Sequence, residues 1–182
     1  LECYERARAI YREMGDRTSE CMVLGNLSII HIELGDLESA EREAKTALGV
    51  IRETGAVQFR IGSEISLALN YVRAGRNAEA WTWTRQAMAS ALEFNEPLFY
   101  GPFLLGLLKL RKGDRATGLA WIGFGMANES EFKKEMTRDF ARHRAEIYGA
   151  APEAEVEAAM SAGERLSMKE IAEAAEHEEV GA

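Results

Sequence analysis

The chain has 182 residues, 47% of them hydrophobic and only 3 of them proline, enough apolar length for one continuous helical core. Its net charge is −8 at pH 7, and its arginines are scattered among carboxylates, which argues against a basic stripe that tracks phosphates and hence against nucleic acid as a partner. No run reaches the ~20 apolar residues of a membrane helix, and the charged start lacks the apolar core of a signal peptide, so a cytoplasmic protein with no membrane partner is expected.

A glycine recurs every 20 residues at Gly15, Gly35, Gly55 and Gly75, each closing an amphipathic run. Such a beat marks stacked helical hairpins, with two helices and two glycine turns making a unit of 40 residues. Residues 1–14 place Tyr4, Ala7, Ile10, Tyr11 and Met14 on one helical face before Gly15-Asp16 ends the run. The chain starts at Leu1 without a methionine, and this run reads as the second helix of a hairpin, so an excised piece is expected. Cys3 and Cys21, without zinc-ligand spacing, are expected to be reduced and packed as small hydrophobes.

Residues 18–34 set Leu24, Leu27, Ile30, His31 and Leu34 on one side, with Ile29 and Ile32 widening the stripe. Gly35-Asp36 stops this helix, because glycine suits the left-handed position after a helix and the aspartate caps the next one. From residue 37 to about 54, Ala40, Ala44 and Ala47 fall in line and imply close approach of a neighbouring helix.

The pattern Leu24-x2-Leu27-Ser28-x2-His31, then Gly35, then Ala40-x3-Ala44-x2-Ala47 resembles the tetratricopeptide repeat. It returns as Glu64-x2-Leu67-Ala68-x2-Tyr71, Gly75, Ala80-x3-Thr84-x2-Ala87. A third copy is Pro102-x2-Leu105-Gly106-x2-Lys109, Gly113, Gly118-x3-Ile122-x2-Gly125. The resemblance implies an all-α fold, a right-handed α-solenoid of antiparallel helix hairpins with a C-terminal helical cap. Residues 1–130 would hold the repeats, as 1–15, 18–54, 57–94 and 97–128, and residues 131–182 the cap. Trp83 and Trp121, each eight residues after a repeat glycine, are expected to play equal packing roles.

Residues 131–148 read as one polar helix with Phe132, Met136, Phe140, His143, Ile147 and Tyr148 on its apolar side. A break at Gly149 to Pro152, a short helix over 153–162, and a last helix with a Ser167/Glu170 capping box follow. The run from Ala158 to Glu170 resembles the closing segment of bacterial signal-transduction ATPases that regulate transcription or carry a nucleotide cyclase. That resemblance implies the interaction part of a larger regulator, without its ATPase, since no phosphate-binding Gly-Lys-Ser/Thr loop is present. The segment from Leu166 to Ala172 also resembles the entry of a helix-turn-helix, but the acidic residues that follow would repel DNA.

Three separated histidines and dispersed carboxylates form no catalytic or metal-ligand spacing, so neither enzyme activity, metal nor cofactor is expected, and solvated helix faces account for the carboxylates. The expected function is protein–protein interaction or assembly, with a ligand-sensing domain holding a pocket among the repeats as the alternative. On the tetratricopeptide plan the first helix of each hairpin lines a concave wall. That wall comprises Gly25, Ile29, Ile32 and Glu33, then Ile65, Leu69, Val72 and Arg73, then Phe103, Leu107, Leu110 and Arg111. So apolar a surface is expected to be covered by an amphipathic helix of a protein or peptide partner, by a second copy, or by segment 131–180. Anchors for that segment would be Val156, Ala159, Met160 and Gly163, or Phe132, Met136 and Phe140.

Overall fold

The structure, a computed structural model, describes residues 1–128 and 133–178. All the secondary structure among the described residues is helical. None of the described helices is long and apolar enough to cross a membrane. The chain divides into two compact units, Leu1–Ser90 and Ala91–Ala182, with the division falling inside the fifth helix.

In the first unit, α1 (Glu2–Glu13), α2 (Arg17–Leu34), α3 (Leu37–Thr54) and α4 (Arg60–Arg73) lead to α5 (Asn77–Glu93), and a three-residue helical turn at Val57–Phe59 precedes α4. The punctuation follows the glycine beat. The side chains of Asp16 and Asp36 accept from the amides of Ser19 and Ser39 at 3.0 and 3.1 Å, closing the exposed starts of α2 and α3. Gly35 and Gly55 end those helices at φ of 79° and 73°, the left-handed turn that costs glycine least.

The alanine line does what its size permits. Ala40, Ala44 and Ala47 are fully buried, and α2 lies close enough for the Ser28 hydroxyl to donate to the Ala40 carbonyl at 2.9 Å and for the Cys21 thiol to stand 3.7 Å from that of Ala47. Ser28 also shares a 2.5 Å hydrogen bond with Ser66, which joins α2 to α4. Leu24, Leu27, Leu67 and Ala68 fill the space between these helices.

Three carboxylates of this first unit depart from the solvated faces expected of them. Glu20, Glu43 and Glu64 are buried, and each is held by an arginine. Arg17 bonds Glu20, Arg8 of α1 reaches Glu43 at 3.1 Å, and Arg60 meets Glu64 at 3.2 Å with Gln86 adding a bond of 3.0 Å. A buried carboxylate is tolerated only when paired in this way, and these half-buried arginines supply the pairing from the edge of the core.

The second unit contains α6 (Tyr100–Arg111), α7 (Arg115–Ala127), α8 (Lys133–Arg142), α9 (Arg144–Tyr148), α10 (Glu153–Gly163) and α11 (Met168–Glu176). α6 packs on α7, α7 on α10, and both α9 and α11 lie against α6. The crossings are made by glycines. A Cβ on Gly106 would stand 2.6 Å from the Gly118 carbonyl, one on Gly123 2.0 Å from that of Met160, and one on Gly163 1.8 Å from that of Ala120. The capping box forms as the sequence predicts: Ser167 receives the Glu170 amide, and Glu170 receives the Ser167 amide at 2.8 Å. The helix expected over 131–148 is instead two helices that meet at His143, and Phe132 lies outside the described residues.

Candidate interaction surface

In the first unit the anticipated wall occupies α2 and α4. Ile32, Ile65, Leu69 and Val72 are at most 5% exposed, so they belong to the core that the Ser28–Ser66 approach creates. Gly25 and Ile29 are half-buried and Glu33 is exposed. Glu33 meets Arg73 of α4 at 3.2 Å. Space around Gly25 is open, with nothing within 4 Å of where a Cβ would be.

Met22, 42% exposed, extends this strip. It stands seven residues before Ile29 and so on the same face of α2, a spacing through which the sequence could have placed it. Met22, Gly25, Ile29 and Glu33 thus form a shallow apolar track along α2, with a small-residue notch near its middle and a carboxylate at its C-terminal end. An amphipathic helix could lay a side chain into that notch.

The second unit treats its four positions differently. Phe103 and Leu107 are completely buried, whereas Leu110 and Arg111 are half-buried. Arg111 Nε donates to Glu146 at 2.7 Å, tying α6 to α9. The hydrogen bond from His143 holds the Glu146 carboxyl down at about 2, and Arg111 adds to this against the opposing effect of burial. Of the proposed anchors, Val156, Met136 and Gly163 are buried, while Ala159, Met160 and Phe140 are half-buried. α10, which carries Met160 and Gly163, docks on α7, and it is α11 and α9 that pack against α6.

The tryptophans of equal offset are not equally placed. Trp121 is buried with the Lys109 ammonium 5.3 Å above its ring, whereas Trp83 is half-buried and the neighbouring Trp81 is the fully buried one. Cys21 is buried, and burial pushes its thiol up to about 11, while Cys3 is exposed on α1. No group of three or more His, Cys, Asp and Glu among the described residues could hold a metal ion. Comparison with protein-family models, with curated proteins and with solved structures finds no match.

Proposed function

We propose that this chain is a non-catalytic protein-binding module, a right-handed α-solenoid of tetratricopeptide-like hairpins that serves as the interaction part of a larger bacterial transcriptional or signalling regulator in the cytoplasm. The observation that carries the reading is the contact between Glu33 and Arg73, which stand 40 residues apart and pair at 3.2 Å. Residues one repeat apart touch when equivalent helices stack side by side, the way a repeat array buries its core. The Ser28–Ser66 bond, spanning 38 residues of the same two helices, supports the same stacking.

Stacking of this kind leaves the outward track of α2 for a partner. The ligand that fits it is an amphipathic helix with an apolar anchor against Ile29 and Met22, a side chain entering beside Gly25, and a basic group toward Glu33. The Glu33–Arg73 pair then sets orientation more than affinity. Selection of a displayed library of helical peptides against the immobilised chain tests this. Peptides with those anchors are expected, and Ile29→Asp should weaken them at least about tenfold, or about 1.4 kcal/mol, with circular dichroism unchanged. Failure to select any helical peptide, or binders indifferent to Ile29→Asp, would contradict the proposal.

A further inference from the structure

The last helix marks a second site, inside the C-terminal unit and independent of the α2 track. Met168, Ile171, Ala172, Ala175 and Glu178 follow one another at spacings of three, one, three and three and form a single stripe of α11 and the turn after it. The stripe lies along α6. At its start the Met168 sulfur accepts from the Leu98 amide at 3.3 Å, just before α6 begins. At its end Glu178 pairs with Lys109 at 2.7 Å and with Lys112 at 3.5 Å, where α6 finishes. Between these contacts Ile171, Ala172 and Ala175 are buried. α11 therefore runs parallel to α6, as the Ser28–Ser66 and Glu33–Arg73 contacts make α4 run parallel to α2.

The two parallel helices are held very differently. In α4, 11 of 14 residues are buried; in α11, 3 of 9 are, and two of those are alanines. Nine residues is below the ~12–15 under which isolated helices are marginal in water, so α11 depends on this seat and on its capping box. α10, by contrast, is locked on α7 by the backbone contacts at Gly123 and Gly163. Between the two helices Glu164, Arg165 and Ser167 are exposed.

We propose that α11 is an autoinhibitory strap over a helix-binding seat on α6, and that the seat's other occupant is an amphipathic helix of a protein partner. The chemistry of α11 specifies that helix. It docks parallel to α6 and carries a branched apolar residue, small residues one and four positions later, and a carboxylate seven positions later for Lys109 and Lys112. Asp114 at 3.0 Å and the Trp121 ring at 5.3 Å hold the Lys109 ammonium in place when the strap leaves. A tethered α11 competes at high effective concentration, so the partner binds in proportion to the open fraction. A second copy's α11 makes the same contacts without the tether and loses to it; a partner helix prevails by being longer and so better formed.

Fluorescence anisotropy of a labelled, amidated peptide of residues 164–178, titrated with the full chain, tests this. Glu178→Lys in the chain, which sets a lysine against Lys109 and Lys112, should tighten peptide binding at least about tenfold over wild type. Ser167→Ala removes the cap of α11 without touching α6 and should tighten it about fivefold. A peptide carrying Ile171→Asp should bind neither variant. In the unmodified chain, hydrogen exchange should open the amides of residues 168–176 well before those of residues 153–163. The proposal would be overturned by α11 amides exchanging no sooner than those of α10, by Glu178→Lys leaving the peptide's affinity unchanged, or by the Ile171→Asp peptide binding as well as its parent. It would equally be overturned by a wild-type dimer in sedimentation that Ile171→Asp in the chain abolishes, which would make a second copy the occupant.

Discussion

Replacing Gly163 by alanine asks whether the α7–α10 crossing holds the C-terminal unit together. A Cβ there would stand 1.8 Å from the Ala120 carbonyl oxygen, whereas real Cβ contacts essentially never fall below 3.0 Å, so the helices must separate by more than about 1 Å. Both sides of the contact are backbone, and neither can rotate away. Overpacking of this kind costs about 1–3 kcal/mol, and the ~0.5–1 kcal/mol that alanine gains over glycine inside a helix offsets only part of it. A net loss of about 1 kcal/mol is expected, which in a unit of this size lowers Tm by roughly 4–8 °C. Gly49→Ala is the control, because nothing lies within 4 Å of its Cβ position in α3, and there the propensity gain of ~0.5–1 kcal/mol should raise stability. Thermal and urea unfolding followed by far-UV circular dichroism read both. If Gly163→Ala leaves the midpoint unchanged or raises it, the close crossing is wrong.

The acid limb of stability should depend on Glu146. Its folded-state carboxyl is depressed to about 2 from an ordinary 4.5, so its contribution is complete above pH 4.5 and is lost as pH falls from there toward 2. The stability gap between the wild type and Glu146→Gln, from urea midpoints, should therefore be wider near pH 7 than near pH 3; a constant gap would refute the linkage. The two thiols should separate under a maleimide. Cys3 should react at once, and Cys21, buried with its thiol at about 11, only on unfolding. Equal native rates would contradict the packing of α2 on α3.

Much of the local grammar was legible because it depends on neighbours in sequence. Gly35-Asp36 ends one helix and caps the next within four residues, and Ser167 and Glu170 close their capping box at a spacing of three. The alanine line also declared itself, since small residues in register signal a close neighbour. What escaped depends on distant partners. Nothing local marks Glu43 as buried, because the arginine that permits it is 35 residues earlier. Gly123 and Gly163 read as weak helix positions until each is found facing the other helix's backbone. The α2–α4 approach took Ile32, Ile65, Leu69 and Val72 into the core and left Gly25, Ile29 and Glu33 accessible, a division that helical periodicity alone cannot make.

Backbone amide chemical shifts, measured while a selected amphipathic peptide is titrated into the chain, test most directly whether the α2 track is where a helical partner binds. The largest changes should fall on Met22, Gly25, Ile29 and Glu33, with Arg73 following through its ion pair to Glu33. Changes concentrated on α1 or within residues 91–182, with the α2 amides unmoved, would contradict it.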